Sequence, residues 1–275
     1  MESVPLHVCS GLPCIDATVE DGRQLRLLID TGDVNALLDD SAASRLNLQE
    51  RPAHGADGKP VAGYHLASLR GLKIGATRLD DVLVIVTSLR AMTDDHAPDA
   101  DGFLTYPAFK DRILRLDFAH KLLSFSKPIA SSVACTGSCG TLQYPSFGKT
   151  GPKIVLSSSF SVNGKTVSAQ IDTLFTGTLL VYPQAVSRLD LRKESESKST
   201  AFFPYTDSGV EMTRGKANTI SFLDVPLAQN SSLYFATPKV HTPDEMFDAT
   251  VGTAVLMQSI VTFDFHDNWI SVARQ

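Results

Sequence analysis

The most informative stretch of the sequence is Leu28-Ile29-Asp30-Thr31-Gly32, in which an acidic residue ends an apolar run. A second stretch, Ile171-Asp172-Thr173, repeats its centre 142 residues later. An ionised carboxylate at the end of an apolar strand costs free energy unless a polar group meets it. In a chain that contains the same segment twice, the second copy can supply that group. We therefore expect Asp30 and Asp172 to lie together.

The repetition extends along the whole chain. Further matches keep their order while the offset rises from 142 to 147: Leu37-Leu38 with Leu179-Leu180, Ser44-Arg45-Leu46-Asn47-Leu48 with Ser187-Arg188-Leu189-Asp190-Leu191, and Leu116-Asp117-Phe118 with Phe263-Asp264-Phe265. Loop insertions in a duplicated unit would produce this drift. We predict two lobes, residues 1–130 and residues 152–275, joined by a linker at residues 131–151 that is rich in Ser, Gly, Pro and Thr.

Each half begins with a pattern typical of a β-hairpin. Residues 13–20 and 153–162 are rich in β-branched and apolar types, and the second run leads to Asn163-Gly164, a strong hairpin signal. Returning strands at residues 25–30 and 167–172 end on the two acids. A pair of leucines and a short helical pattern then follow in each half.

The rest of the chain also favours strands. Residues 66–75 and 79–86 predict strands joined by turns, and residues 113–125 and 260–272 each predict one alternating strand that closes its half. The Lys, Glu and Ser run at residues 192–200 is interpreted as a solvated loop. Asp117 and Asp264, although repeated, are interpreted as acids that cap turns.

Composition sets limits on the class of protein. The chain has 275 residues, of which 43% are hydrophobic and 20% charged, so it can bury a core and is not disordered. A net charge of -5 and a pI of about 5.8 give no basic surface for nucleic acid. No apolar run is long enough to cross a bilayer, and the N-terminus lacks the pattern of a leader. We expect a soluble protein.

The four cysteines leave three alternatives open. Cys9 with Cys14 and Cys135 with Cys139 are spaced to form two disulfides, which would favour a periplasmic or secreted location for a chain whose leader has been removed. They could equally be free thiols packed as small hydrophobic residues. A single four-cysteine zinc site is the third alternative, although the gaps within the pairs are wider than in common zinc knuckles.

The repeated acid has a well-defined chemistry. Two carboxylates within hydrogen-bonding distance share one proton, so one can act as base toward a water while the other protonates a carbonyl. This chemistry needs neither metal nor cofactor, and we predict none. Thr31 and Thr173 can donate hydrogen bonds across the interface between the lobes, and Gly32 allows backbone to approach a carboxylate closely.

These features together resemble the retropepsin-like and pepsin-like aspartic proteases, especially bacterial two-lobe members. The resemblance covers nearly the whole chain. It implies an all-β fold with short helices, in which two closed-barrel lobes related by a pseudo-twofold axis enclose a central cleft. It also implies that Asp30 and Asp172 are catalytic, that Thr31 and Thr173 brace them, and that the substrate is a peptide or protein. Because both lobes are present in one chain, we expect a monomer.

The resemblance also implies a flap over the cleft. The glycine-rich stretch at residues 54–64 is the candidate, and Asp33, Gly58 and Tyr64 are candidate substrate contacts. Asp33 has two interpretations. If it points into the cleft, its charge would raise the pKa values of the dyad or select a basic group; if it points outward, it is an ordinary turn acid, the interpretation that we favour.

The sequence departs from the family pattern at three positions. Leu174 occupies the place of the second glycine, Asp33 follows the first triplet where Ala or Ser is commoner, and Thr105 stands where Gly252 keeps the expected glycine. Two hypotheses are consistent with these changes. The chain is either an active endopeptidase or a catalytically silent protein that binds peptides or assembles on the same fold. Motifs of zinc proteases, serine hydrolases and nucleotide-binding proteins are not present in the sequence.

Overall fold

A computed structural model describes residues 2–55, 57–92, 99–110, 112–127, 135, 138–146, 153–201, 210–236 and 247–274. These residues form many strands and a few short helices, which confirms the predicted all-β fold. Among them, no helix has the length and apolar composition needed to span a membrane.

The N-terminal half contributes thirteen strands: β1 (Glu2–Pro5), β2 (His7–Cys9), β3 (Leu12–Thr18), β4 (Gln24–Asp30), β5 (Ala36–Asp39), β6 (Arg51–His54), β7 (Pro60–Leu69), β8 (Lys73–Ile74), β9 (Thr77–Arg78), β10 (Val82–Thr87), β11 (Gly102–Thr105), β12 (Ile113–Asp117) and β13 (Leu122–Ser126). Its helices are α1 (Asp40–Arg45), α2 (Leu89–Met92) and a 3-10 helix (Tyr106–Phe109).

The C-terminal half contributes ten strands among its described residues: β14 (Cys139–Gln143), β15 (Leu156–Val162), β16 (Lys165–Ile171), β17 (Leu179–Val181), β18 (Arg192–Ala201), β19 (Val210–Phe222), β20 (Val225–Phe235), β21 (Ala249–Val251), β22 (Ser259–Asp264) and β23 (Trp269–Arg274). Its helices are α3 (Pro183–Val186) and α4 (Thr253–Leu256). The predicted hairpin turn is confirmed, because Asn163 and Gly164 have φ angles of 51° and 75°, as a type I′ turn requires.

The strands of the two halves pair in the same order. β11 runs parallel to β4 and antiparallel to β5, and β21 is related in the same way to β16 and β17. In the C-terminal half, six strands close a barrel in the order β15, β16, β21, β17, β20 and β19, since β19 pairs with β15. In the N-terminal half, β8 makes the corresponding pairing with β3. The predicted closed-barrel architecture is therefore confirmed.

A six-stranded sheet joins the two halves, in the order β1, β13, β12, β22, β23 and β14, and β14 connects it to the C-terminal barrel by pairing with β15. Its central strands, β12 and β22, are antiparallel, and Arg115 of β12 lies opposite Thr262 of β22. Each half thus contributes three strands to one continuous sheet. This sheet fixes how the halves face each other.

The prediction of one closing strand in each half was wrong, because each forms a hairpin. The chain turns through Lys121 and Asn268, whose φ angles are 55° and 58°. Alternation of apolar residues continues on both sides of each turn, so periodicity alone does not reveal the reversal. Asp117 and Asp264 cap these turns as predicted: the backbone N–H of His120 donates to Asp117 over 3.0 Å, and that of His266 donates to Asp264 over 2.9 Å.

The loop prediction for residues 192–200 was also wrong, because they belong to β18. This strand pairs with β19 at the end of its sheet. Edge strands often carry charged side chains, which discourage pairing with another chain, so a wholly polar run can still be a strand. The β18–β19 hairpin corresponds in chain order to the β6–β7 hairpin, which contains the predicted flap and is closed by the N–H of Gly55 donating to the Lys59 carbonyl.

The cysteines form two disulfides, Cys9 with Cys14 and Cys135 with Cys139. This result decides among the three alternatives that the sequence left open. The first disulfide links β2 to β3 within a β-hairpin, and both of its cysteines are buried.

Candidate functional site

Both repeated acids lie at the end of a strand that has a parallel neighbour. Asp30 is the last residue of β4 and pairs with Thr105 of β11. Asp172 directly follows β16, and its backbone N–H donates to the carbonyl of Val251 in β21 over 3.0 Å. The two acids therefore occupy corresponding places in the two halves.

The chain turns in the same way after each acid. The Oδ1 atom of Asp30 accepts from the N–H groups of Gly32 and Asp33, at 2.7 and 3.1 Å. The Oδ1 atom of Asp172 accepts from Leu174 and Phe175, at 2.8 and 3.2 Å. Backbone donors of this kind favour the ionised form of a carboxyl group. Leu174 thus leaves the turn intact although it replaces a glycine.

Hydrogen bonds between the two threonines and opposing backbone tie the segments together. The N–H of Thr31 donates to Oγ1 of Thr173 over 3.1 Å, and Oγ1 of Thr31 donates to the Ile171 carbonyl over 2.7 Å. In return, Oγ1 of Thr173 donates to the carbonyl of Ile29. Both threonine side chains are fully buried. All of these bonds cross between residues that are about half the chain apart.

Gly32 lies directly against the second acid. A Cβ atom at this position would be 2.7 Å from Cγ of Asp172, far inside van der Waals contact. Any larger residue would therefore force the two segments apart. The structure brings Thr31, which directly follows Asp30, and Gly32 into contact with Asp172 and Thr173, while the catalytic role of the two acids stays a prediction.

Gln170 also contacts this cluster, and sequence reasoning missed it. Its Nε2 donates to the Gly32 carbonyl over 2.6 Å, so a side chain of the C-terminal half holds the first triplet. Its Oε1 accepts from Oγ1 of Thr250 at 3.3 Å, and that oxygen lies 3.0 Å from the hydroxyl of Tyr182. The sequence offered one signal for this role: Gln170 carries an amide two residues before Asp172, whereas the corresponding residue of the first half is Leu28.

Leu174 packs against the opposite half of the molecule. It is 3% exposed and belongs to a hydrophobic cluster whose other buried members all come from the N-terminal half: Cys9, Cys14, Leu28, Leu37, Leu89 and Phe103. Leu28 and Gln170 both lie two residues before an acid, and Gly32 and Leu174 both lie two residues after one. Across the junction, the residue before one acid thus meets the residue after the other. The pair Gln170 and Gly32 is polar, and the pair Leu28 and Leu174 is apolar.

The environment of Asp172 favours its protonated form. Burial, with a smaller contribution from the negative charge of Asp33, raises the pKa of Asp172 from 3.8 to about 6, although the hydrogen bonds from Leu174 and Phe175 act against this shift. Asp33 itself is half-buried and accepts from the N–H of Asn35 at 2.9 Å. Asp33 thus accepts a hydrogen bond within its turn, as the favoured interpretation predicted, but its charge raises the pKa of Asp172, as the other interpretation predicted, and its role in substrate binding stays a prediction.

The other two candidate substrate contacts lie in the β6–β7 hairpin. Gly58 is exposed in the turn, with a φ angle of 77°, and Tyr64 is partly buried in β7. Within the described part of the chain, neither forms a hydrogen bond with Asp30 or Asp172. Their role in binding a substrate stays a prediction.

Replacing Asp172 by Asn is expected to remove a pH-dependent loss of stability. Because the pKa of Asp172 in the folded chain is about 6, above its ordinary value of 3.8, the folded state binds more protons than the unfolded state between these values. Relative to Asp172→Asn, the wild-type free energy of unfolding should fall by about 1 to 3 kcal/mol as the pH rises through this window. Urea unfolding of both proteins at about pH 4, 5, 6 and 7 measures the difference. A difference that does not change with pH would contradict the raised pKa.

A match to a known protein family includes the part of this site that comes from the N-terminal half. Residues 15–107 match the family model described as aspartyl protease, a range that contains Asp30, Thr31 and Gly32. The match supports an aspartic protease function in general terms. A search of curated proteins finds no match to the chain.

Proposed function

We propose that this protein is an aspartic endopeptidase in which Asp30 and Asp172 form the catalytic dyad. The observation that carries the proposal is the set of reciprocal hydrogen bonds between Thr31 and Thr173 and the opposing backbone, with Gly32 in contact distance of the Asp172 carboxyl group. This arrangement favours two carboxylates that face each other and share one proton.

In this mechanism Asp172 carries the shared proton at the start, because burial raises its pKa and the charge of Asp33 acts in the same direction. Asp30 takes a proton from a water molecule as the water oxygen attacks the peptide carbonyl carbon, and Asp172 protonates the carbonyl oxygen. Asp30 then donates the proton that it took from water to the amide nitrogen, Asp172 takes a proton back from a hydroxyl group of the tetrahedral diol, and the C–N bond breaks. The products are a carboxylic acid and an amine.

The proposal extends to the architecture of the whole chain. Residues 1–130 and 152–275 would be two lobes of retropepsin-like or pepsin-like type, derived from one duplicated unit. Residues 131–151 would be the linker, which contains β14 and pairs through it with β15 and β23 of the C-terminal half. The equal order of strand pairing in the two halves supports this division. A chain that supplies both acids needs no second copy, so we expect a monomer.

The two disulfides support a location outside the cytoplasm. Disulfides form and persist in the periplasm and in secreted proteins, whereas cytosolic thiols are kept reduced. Cys9–Cys14 and Cys135–Cys139 are both formed. A periplasmic or secreted peptidase is the expected setting.

Peptide hydrolysis by the purified chain should decline as the pH rises above about 6. Loss of the shared proton removes the group that protonates the carbonyl, so kcat/KM should fall about tenfold per pH unit above the upper apparent pKa of the dyad. A peptide library digested across the pH range and analysed by mass spectrometry identifies cleaved substrates, whose rates then give the profile. A statine-type transition-state mimic should block the cleavage. Hydrolysis that increases steadily up to about pH 9 would contradict the mechanism.

A catalytically silent peptide-binding or assembly protein is the second candidate. It is favoured by Leu174 in place of the second glycine and by the 2% exposure of Asp30, which leaves this carboxyl group little access to solvent. A silent protein would bind peptides with equal affinity in wild type, Asp30→Asn and Asp172→Asn, and would release no products. Measurable cleavage that is lost in those variants would exclude it.

A further inference from the structure

Arg112 is a buried cation that has no acidic partner in the part of the chain that the structure describes. It follows the 3-10 helix, directly precedes β12 and is 7% exposed. Its guanidinium makes one long hydrogen bond, 3.5 Å to the Arg78 carbonyl, and lies 6.0 Å from the centre of the Phe125 ring. Among the residues that the structure describes, no carboxylate oxygen lies within 4.0 Å of it. A buried guanidinium in such surroundings is costly unless an anion meets it.

Arg112 is one of the residues that line a pocket of about 390 Å³, a size suited to a small ligand or a side chain. Nine of the fifteen lining residues are apolar, and six of these nine come from β5, β7 and β10. The charged lining residues are Arg112, Lys110, Asp80 and Asp81, of which all but Arg112 are exposed. The buried charged residue of the lining is therefore a cation, while the two acids are exposed to solvent.

This pocket adjoins the proposed dyad. Thr105, which lines it, pairs with Asp30 in the neighbouring parallel strand. Val34 and Asn35, which also line it, belong to the loop that follows Asp30. A peptide held at the dyad could therefore place a neighbouring group in the pocket.

We propose that this pocket binds one carboxylate group of the peptide substrate, with Arg112 as its counter-ion. The inference rests on the proposed peptidase function and names its substrate class. The guanidinium fork can hold a carboxylate through two parallel hydrogen bonds, and the apolar walls can hold the carbon chain that carries it. The acids at the edge disfavour groups with several negative charges. The carboxylate can be a Glu or Asp side chain or the free C-terminus of the peptide.

Matched peptides distinguish these two sources. One series replaces Glu by Gln at each position around a cleaved bond, and the other compares a free C-terminus with its amide. The wild type should prefer the acidic member of one series by about tenfold or more in kcat/KM. Arg112→Met should reduce this ratio to about one, whereas Lys110→Met, which removes an exposed cation of the same pocket, should keep most of it. Equal wild-type rates for every pair would overturn the inference.

Binding and stability measurements keep the test independent of catalysis. Calorimetry with Asp172→Asn and the same peptide pairs should show the same preference even if the proposed peptidase function is wrong. Arg112→Met should also unfold at the same temperature as the wild type or higher, because it removes an unpaired buried charge. A clearly lower unfolding temperature would mean that Arg112 has a structural role, and would overturn the inference.

Discussion

Replacing either Asp30 or Asp172 by Asn is expected to reduce kcat/KM for peptide hydrolysis by at least about a hundredfold and to leave the chain folded. Asparagine keeps an oxygen that can accept the turn N–H groups but cannot remove a proton from water or hold the shared proton. General acid and base groups contribute about 10² to 10⁴ in rate, and members of one catalytic unit are not additive. The double variant should therefore be little slower than the worse of the two single variants.

Asp190→Asn is the matched control for this experiment. Asp190 is exposed, has a φ angle of 49° that asparagine tolerates, and pairs only with Lys165 among the described residues. Its loss should change kcat/KM by less than about twofold and stability by less than about 0.5 kcal/mol. Full activity in Asp30→Asn or Asp172→Asn would exclude the proposed dyad.

Leu174→Ala is expected to lower the free energy of unfolding by about 2 to 5 kcal/mol. The side chain fills a buried cluster of the opposite half, so truncation leaves a cavity at the junction between the halves. If Leu174 only obstructed the site where the family has glycine, a smaller residue at this position would instead raise activity without loss of stability. Urea unfolding followed by circular dichroism measures the change.

Leu83→Ala is the control, since Leu83 is 57% exposed and its truncation should cost less than about 0.5 kcal/mol. If Leu174→Ala unfolds like the wild type and cleaves peptides faster, the leucine is an obstruction and does not support the junction. A loss of stability that is accompanied by lower activity would instead agree with a leucine that holds the Asp172 turn in place.

The junction between the halves is asymmetric in a way that explains Leu174. The residue two before each acid meets the residue two after the other acid. On one side the side-chain amide of Gln170 bonds to the Gly32 carbonyl, and on the other side Leu28 and Leu174 belong to one hydrophobic cluster. Gly32 leaves space beside Asp172, and Gln170 holds its carbonyl. On the other side, Leu174 takes the place of the second glycine, and the apolar Leu28 lies in the same cluster. Leu174 therefore belongs to a packed interface, which a comparison of triplets alone does not reveal.

The sequence predicted the features that depend on local pattern and repetition. Short-range periodicity located β3, β4, β15 and β16, and the repeat identified Asp30 and Asp172 as corresponding residues. The same periodicity failed at Lys121 and Asn268, because apolar alternation does not stop at a tight turn. It failed again in β18, whose polar composition hides an edge strand.

Contacts across the junction could not be predicted from the sequence. Gln170 and Gly32 are 138 residues apart, and their hydrogen bond exists only because the six-stranded sheet sets the two halves against each other. Arg112 is similar: in the sequence it is one of several basic residues near a turn, and its burial accompanies the packing of Phe109 of the 3-10 helix against Phe125 of β13. The state of the four cysteines was likewise open until their positions were known.

The most direct test of a shared-proton dyad is a pH titration of the Asp30 and Asp172 carboxyl carbons by NMR, with the signals assigned from the Asp→Asn variants. We predict a coupled titration in which the pair keeps one proton up to about pH 6, and in which Asp172→Asn abolishes the upper step and changes the curve of Asp30. Two independent single-step titrations near the ordinary aspartate value of about 4, each unaffected by the other substitution, would contradict the dyad.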